Sequence, residues 1–352
     1  MKAKKITFII ILQITVVFAA LFLLEIILRV AGYSPAYINP LQSFHDSDDN
    51  IGWRGKKNFK GRFKSSEFNV VIEHNEYGFR KLVNCNKNIS SAKRVVFFGD
   101  SFTWGWGVGQ GKCFTDLLGK KIPLLQFSDY GINGSGTLSQ YILFKNEILK
   151  DLISGDQVVV MFFNNDFYDN TGGRVKARFE GEKFLIDKPT KKFKSEIRYY
   201  LKNILYSYNF LDYYFNYYKL ILKKKKNDEN TARPGLFNES CVEYRACKYL
   251  LNQFKNDCAE KKIKLIVFYI PAQAELNESM ETLNYSEKED VLRKSFFEII
   301  SDLGITAVDL KEGLLEWKKN NGNRRITFPH DEHWNESGHI AASEIIGSYI
   351  TQ

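Results

Sequence analysis

Short runs of apolar residues alternate with longer stretches of helical periodicity from residue 93 onwards. Apolar runs predict buried strands at 94–98, about 123–128, 157–163, 264–270 and 305–309. Helical patterns lie between most of these runs and include 137–152, 240–260 and 287–302. Strands that alternate with helices indicate βαβ units. The pattern therefore predicts an α/β fold, a flavodoxin-like doubly wound sheet of about five parallel strands flanked by helices.

The N-terminal segment has a different pattern, an uncharged apolar run from Ile6 to Leu24 that Glu25 interrupts. A helix over this run would be about 29 Å long, which nearly matches the hydrocarbon thickness of a bilayer. A cleaved signal peptide would have a shorter apolar core, whereas this run continues past Ala19-Ala20. The run therefore predicts an uncleaved transmembrane anchor.

The charges that flank this run predict its orientation. Lys2, Lys4 and Lys5 precede it, and there is no Lys or Arg between Arg29 and Arg54. The positive-inside rule then places the N-terminus in the cytoplasm and the chain after about residue 32 outside it, as a single-pass membrane protein. Glu25 and Arg29 are four residues apart, in the order that favours an ion pair on one helix face.

Composition divides the chain further. Residues 1–32 are predicted as a cytoplasmic stub and anchor, 33–92 as an extended arm with a few edge strands on the main domain, and 93–352 as that domain. An insertion at 171–239 is rich in Lys, Tyr and Phe and shows no obvious strand. Two interpretations stay open: a helical hairpin with a solvated charged tip, or a surface for anionic headgroups or glycans.

The net charge of +9 is concentrated near the N-terminus and between Lys191 and Lys226. No nucleic-acid-binding module accompanies it, so no nucleic-acid partner is predicted. The five cysteines are irregularly spaced and without a Cys-x-x-Cys pair, which predicts neither a disulfide framework nor a zinc site.

Polar residues follow three of the predicted strands at the edge where ligands bind in such sheets. Ser101 follows the first strand, Gly134 the second and Asn165 the third. Each has an ordinary alternative, respectively a helix N-cap, a glycine turn and an Asx-turn. Acyl transfer through a serine such as Ser101 needs a nucleophile, donors for the oxyanion, a base and a group that orients the base.

Candidates for that base lie near the C-terminus, in the segment from Pro329 to His339. It contains His330, His333 and His339, with Asp331 between the first two. Three close histidines also suit a metal, but no further His or Cys cluster supports such a site.

Four blocks resemble, in order, those of the GDSL or SGNH hydrolase superfamily. They are Gly99-Asp100-Ser101-Phe102, Asp129-Tyr130-Gly131-Ile132-Asn133-Gly134, Asn164-Asn165-Asp166 and Asp331-Glu332-His333-Trp334. The resemblance implies Ser101 as nucleophile, His333 as base and Asp331 as its orienting carboxylate. It also implies an oxyanion hole formed by Ser101, Gly134 and Asn165, and neither a metal nor an organic cofactor.

The chain departs from the common pattern at two points. The superfamily usually has Asp-x-x-His, whereas Asp331 is two residues before His333. This Asp-x-His-Trp form is similar to that of the superfamily members involved in envelope-polysaccharide acetylation. Asn164 replaces the usual small residue. The segment from Asn75 to Arg80 also resembles one that often precedes the serine block in membrane-anchored members, with no role assigned to it.

The resemblance implies a membrane-anchored, extracytoplasmic serine esterase that acts on O-acyl esters, in particular O-acetyl esters of envelope glycans, or on small esters. One alternative is an O-acetyltransferase with the same triad and a membrane acyl-donor partner. A second is a non-catalytic module for glycans or lipids that kept the fold. A lipase with 171–239 as its lid is a third, which the lysines of that segment disfavour.

Overall fold

A computed structural model describes residues 2–33, 44–65, 67–84, 93–189, 197, 201–202, 204–227, 237–278 and 284–351. The chain forms two compact units. One comprises residues 1–44 and 190–233, and the other residues 45–189 and 234–352. The predicted domain boundaries stay a prediction, and each unit is described by itself.

Eleven strands are described. In chain order they are β1 (His45–Asp48), β2 (Gly52–Gly55), β3 (Lys60–Lys64), β4 (Asn69–Glu73), β5 (Arg94–Gly99), β6 (Gln126–Gly131), β7 (Gln157–Phe162), β8 (Lys176–Glu180), β9 (Lys183–Asp187), β10 (Lys264–Tyr269) and β11 (Ala307–Asp309). The α-helices with continuous bounds are α1 (Lys2–Val30), α2 (Ser101–Trp104), α3 (Phe114–Lys121), α4 (Thr137–Leu143), α5 (Asn165–Gly172), α6 (Tyr206–Asn227), α7 (Val242–Glu260), α8 (Asn284–Leu303), α9 (Leu310–Asn320) and α10 (Glu336–Ile350).

The central sheet of the larger unit confirms the predicted fold class. Its five strands are parallel and follow the order β11-β10-β7-β5-β6. This is the doubly wound order in which the chain reverses direction beside β5. Strand β6 begins later than predicted, at Gln126, because residues 123–125 form a turn that starts at Pro123. Proline has no N–H for a strand ladder, so this shift has a simple cause.

Both faces of the sheet are covered. Val96 and Phe98 of β5 pack into one apolar core, and Val95 and Phe97 pack into the core on the opposite face. All four side chains are almost fully buried. This explains why β5 and β7 appear in the sequence as continuous apolar runs, whereas β6 alternates in burial. Because β7, β5 and β6 are neighbouring parallel strands, their carboxyl ends lie side by side at one edge of the sheet.

The segment before β5 forms small sheets of its own. Strands β1 and β2 pair antiparallel, as do β3 and β4, and neither pair joins the central sheet. The prediction of short strands in this segment is confirmed, but they are not edge strands of the central sheet.

The interpretation of residues 171–239 as a segment without strands was wrong. Strands β8 and β9 form an antiparallel hairpin within it, joined through Gly181 at a φ of +61°. Charged and apolar residues alternate along β8, whereas β9 has three apolar residues between Lys183 and Asp187, and the abundance of charge obscures the pattern. The helical part of the insertion is α6, which belongs to the smaller unit.

The smaller unit contains α1, the one helix among the described residues that is long and apolar enough to cross a membrane by its length and composition. Glu25 and Arg29 form the predicted ion pair at 2.7 Å.

Candidate active site

Ser101 lies at the carboxyl end of β5, as the first residue of α2. The N-cap is Asp100, whose carboxylate accepts a hydrogen bond from the Phe102 backbone N–H at 2.9 Å. A side chain at Gly131, at the end of β6, would collide with the backbone nitrogen of Trp104. The interpretation of Ser101 as the N-cap was therefore wrong, and the tight packing of α2 against β6 holds its hydroxyl in place.

Ser101, His333 and Asp331 are brought together. The Ser101 Oγ lies 2.6 Å from His333 Nε2, although the two residues are 232 positions apart in the chain. The other ring nitrogen, Nδ1, hydrogen-bonds to Asp331 Oδ1. The Asp331 carboxylate also accepts the His333 backbone N–H at 3.0 Å, so a carboxylate two residues before the histidine folds back onto it.

The second oxygen of Asp331 is held by Trp106, a residue that the sequence reasoning missed. The indole Nε1 donates to Asp331 Oδ2 at 2.9 Å. Burial alone would raise the pKa of Asp331, but the hydrogen bond from the His333 ring and the attraction of that ring lower it below its usual value. Asp331 is therefore an anion at neutral pH, with a partner on each oxygen.

Aromatic rings fix the plane of the His333 imidazole. Trp106 stacks on it with a centroid distance of 5.1 Å and an interplanar angle of 23°. Phe102 lies 4.8 Å away at 38°. These two contacts, together with the hydrogen bond from Nδ1 to Asp331, hold the ring in its orientation towards Ser101.

The two other histidines of the C-terminal segment are placed differently. His330 is exposed, and its backbone N–H donates to Glu67 at 3.0 Å. His339 is buried in α10, where its Nδ1 accepts the Phe114 backbone N–H. Burial lowers the pKa of His339 to about 3, so it stays neutral in the core. Neither is hydrogen-bonded to Ser101.

The predicted oxyanion donors flank β5, at the ends of the two neighbouring strands. Gly134 is exposed after β6 and has a φ of +63°, a conformation that disfavours other residues. Asn165 opens α5 after β7, and its amide nitrogen donates to Asp169 at 3.0 Å. The Asn165 side chain also hydrogen-bonds to the Asp100 carboxyl, so two acidic residues hold its amide in place.

Buried carboxyl groups lie beneath these donors. Burial raises the pKa of Asp100 to about 6. Burial and the proximity of Asp100 raise the pKa of Asp166 well above its usual value. The raised pKa of Asp166 favours its neutral form, which repels a developing oxyanion less than a carboxylate does, whereas Asp100 is still mostly ionised at neutral pH.

Arg80 gives a role to the segment from Asn75 to Arg80. Its buried guanidinium donates to the Val108 carbonyl at 2.7 Å and to the Gly105 carbonyl at 3.5 Å. These carbonyls belong to the loop that carries Trp106. The segment thus holds the loop that contacts Asp331 and His333.

In the part of the chain that the structure describes, no cluster of three His, Cys, Asp or Glu residues could hold a metal.

Comparisons with known proteins identify a family. The family model for GDSL-like lipase/acylhydrolase matches residues 95–346. Among solved structures, the chain is similar to a lipolytic G-D-S-L family protein from Veillonella parvula, with 14% identity, a TM-score of 0.42, and coverage of 74% of this chain and 100% of that one.

It is also similar to the lipase/acylhydrolase from Enterococcus faecalis, with 13% identity, a TM-score of 0.41 and coverage of 73% and 95% of the two chains. The acetylxylan esterase Axe2 from Geobacillus stearothermophilus gives 12% identity, a TM-score of 0.42 and coverage of 75% and 96%. A comparison with curated proteins found no match. Since the family model covers well over half of the chain, this protein belongs to the GDSL-like lipase/acylhydrolase family and is a serine ester hydrolase.

Proposed function

We propose that the protein hydrolyses O-acyl esters, in particular O-acetyl esters of envelope glycans, through an acyl-enzyme on Ser101, with its catalytic domain outside the cytoplasm. The observation that carries the proposal is the hydrogen-bonded series from the Ser101 hydroxyl through His333 to Asp331. Serine is a weak nucleophile at neutral pH unless an adjacent base removes its proton. This arrangement supplies that base and the group that orients it.

In the first step, His333 Nε2 takes the proton from Ser101 Oγ as the oxygen attacks the ester carbonyl. The imidazole becomes positively charged, and the ionised Asp331 stabilises it without accepting its proton. The negative charge that develops on the carbonyl oxygen would be met by the backbone N–H groups of Ser101 and Gly134 and by the side-chain amide of Asn165.

In the second step, His333 gives its proton to the departing alcohol, and the acyl group stays on Ser101. Water activated by His333 then attacks the acyl-enzyme and releases the acid. A sugar hydroxyl could take the place of water, which would make the same triad an acetyltransferase.

The surroundings of the triad favour a short acyl group. In the chain next to His333, the exposed His330 and the partly exposed Asp331 and Glu332 are polar, and the partly exposed Trp106 is the aromatic ring stacked on His333. A long acyl chain needs a continuous apolar surface, whereas an acetyl group does not. The predicted membrane anchor supports an envelope ester as substrate, because it would hold the domain beside the envelope.

The proposal is tested by hydrolysis of p-nitrophenyl esters from acetate to octanoate and by acetate release from acetylated glycans. We expect acetate to be the preferred acyl group. The same assay with an unacetylated glycan added distinguishes transfer from hydrolysis, because transfer would give an acetylated glycan. Absence of turnover with every ester by the folded full-length protein would contradict the proposal and favour a binding module.

Replacing Asn165 by alanine should lower kcat about 10²- to 10³-fold, the usual cost of losing one oxyanion donor. KM should change little, because the donor acts on charge that develops in the transition state. The matched control is Asn164→Ala. The Asn164 side chain is also an amide, but it is buried between Tyr269 and Glu289. An equal loss of kcat in the control would argue against a specific role for Asn165.

Replacing Trp106 by phenylalanine should lower kcat about 10-fold, since a hydrogen bond to a charged group contributes about 1.5 kcal/mol or more. The phenyl ring can still stack on His333, so the loss isolates the N–H bond to Asp331. Trp104→Phe is the control, because the Trp104 indole donates to His74 instead, at 3.1 Å. Steady-state kinetics and thermal unfolding of both variants are the measurements. If Trp106→Phe lowered Tm but left kcat unchanged, Trp106 would stabilise the fold without contributing to catalysis through Asp331.

A further inference from the structure

The N-terminus of α6 is capped by a residue of the apolar helix α1. The Glu25 carboxylate accepts hydrogen bonds from the backbone N–H of Tyr206 at 3.2 Å and of Ser207 at 2.8 Å, and from the Ser207 hydroxyl at 2.8 Å. Arg29 adds a bond to the Ile204 carbonyl at 2.8 Å and lies over the Tyr206 ring. These bonds satisfy backbone donors that a helix start leaves unpaired. They hold the start of α6 at the level of Glu25.

That level is close to the end of the apolar span. Val30 is the last apolar residue of α1, five residues after Glu25, and therefore about 7.5 Å further along the axis. Side chains 5–23 of α1 are all exposed, whereas Leu28 is buried. Thus α6 packs only on the last turns of α1. If α1 spans a bilayer, α6 begins at the boundary between acyl chains and headgroups, where interfacial helices lie about 5–10 Å deep.

Two opposite faces of α6 have different environments. Asn209 is buried and bonded to the Tyr33 hydroxyl at 2.8 Å, and Phe210 packs edge-on against the same ring. Leu211, Phe215 and Tyr218 follow each other at helical spacing on the other face, and are 45%, 62% and 63% exposed. A helix turns about 100° per residue, so these three side chains share one stripe. Ser207, which bonds to Glu25, is at the start of the same stripe, so the exposed side chains lie on it beyond the contact with α1.

The sequence of this helix matches the chemistry of a membrane surface. Tyrosines with apolar residues are typical of the membrane–water interface. The helix ends with Lys223 to Lys226, and clustered lysines attract anionic headgroups. This combination of an aromatic stripe and a cationic end is unlike a solvated hairpin tip.

We propose that α6 lies in the lipid headgroup region, with Leu211, Phe215 and Tyr218 facing the acyl chains, as a second membrane contact beside α1. The inference rests on the proposed membrane anchoring of α1. It resolves the two interpretations of the insertion in favour of a lipid surface. A single helix can rotate and tilt freely in a bilayer. Two membrane-contacting helices, α1 and α6, joined through Glu25 would fix the orientation of this pair relative to the membrane.

The test uses full-length protein in vesicles of phosphatidylcholine and phosphatidylglycerol, with or without brominated phosphatidylcholine, which quenches nearby tryptophan. Three variants are compared with the wild type as baseline: Phe18→Trp in α1, Phe215→Trp on the exposed stripe, and Tyr213→Trp about half a turn away on the same helix. We expect quenching and a blue shift for Phe18→Trp and Phe215→Trp, and less of both for Tyr213→Trp.

The outcomes separate the anchor from the second contact. Quenching in Phe18→Trp without quenching in Phe215→Trp overturns the proposal and leaves the anchor intact. No quenching in Phe18→Trp overturns both. A blue shift in Phe215→Trp without lipid quenching shows that a protein surface, such as a second copy of this chain, covers the stripe, and also overturns the proposal.

A second measurement examines the lysines. Replacing Lys223 to Lys226 together by glutamine should reduce the quenching of Phe215→Trp. Added salt should also reduce this quenching in the Phe215→Trp variant that keeps its lysines. Both changes weaken the attraction between the lysines and anionic headgroups. In vesicles of phosphatidylcholine alone, the glutamine substitutions should have little effect. An equal reduction in both kinds of vesicle would mean that the lysines act through the fold rather than through headgroup charge, and would overturn their proposed role.

Discussion

Replacement of His333 by alanine is expected to lower kcat by about 10⁶-fold, the scale on which loss of the base in a serine hydrolase abolishes the mechanism. Without the imidazole, nothing within hydrogen-bond distance of Ser101 Oγ takes its proton in the part of the chain described. KM should change much less, because His333 contacts the reacting atoms rather than the rest of the substrate. Steady-state hydrolysis of p-nitrophenyl acetate measures both parameters.

His330→Ala is the matched control for this variant. His330 is three residues earlier in the same segment and exposed, so its loss should leave kcat nearly unchanged and the fold intact. His339→Ala should lower thermal stability, since it leaves a space beside Phe114 and Trp334. If His330→Ala, rather than His333→Ala, abolished turnover, the base would be misassigned.

Replacement of Asp331 by asparagine is expected to lower kcat by about 10⁴-fold, because an amide in this position favours the wrong imidazole tautomer. In this variant, the side-chain amide N–H could donate to Nδ1 of His333 and force the ring proton onto Nε2, where it would block acceptance from Ser101. The loss should be greatest at neutral pH, where the tautomer decides activity. It is measured as kcat across the pH range with p-nitrophenyl acetate.

Glu332→Gln provides the comparison for this loss. Glu332 lies between the two proposed catalytic residues, and burial raises its pKa. Its side chain is not hydrogen-bonded to the His333 ring, so we expect a change in kcat of no more than a few-fold. If Glu332→Gln and Asp331→Asn reduced kcat equally, general negative charge rather than orientation of the imidazole would explain the effect.

The sequence was sufficient to predict the central sheet because three of its strands, β5, β7 and β10, are continuous apolar runs. Val95 to Phe98 and Val158 to Met161 have no competing helical pattern, and their β-branched and aromatic residues favour strands. The hairpin of β8 and β9 was missed because lysine and glutamate occupy its exposed positions. Its alternation and its turn at Gly181 were available as signals.

The candidate site was predictable where it follows strand ends and unpredictable where it depends on tertiary contacts. Ser101 and Asn165 follow β5 and β7 directly. The choice among His330, His333 and His339 needed the resemblance, since spacing alone does not show which ring reaches β5. Trp106 gave no sequence signal beyond an aromatic residue five positions after the serine. The cap from Glu25 to Ser207 spans 182 positions and has no local pattern.

The most direct test of the central claim, that Ser101 is a nucleophile activated by His333, is labelling of the full-length protein with a fluorophosphonate probe and mass analysis of its peptides. We predict that the wild type carries the label on Ser101, that Ser101→Ala carries none, and that His333→Ala is labelled far more slowly while His330→Ala is labelled at the wild-type rate. Labelling at another residue, or undiminished labelling in His333→Ala, would contradict the account.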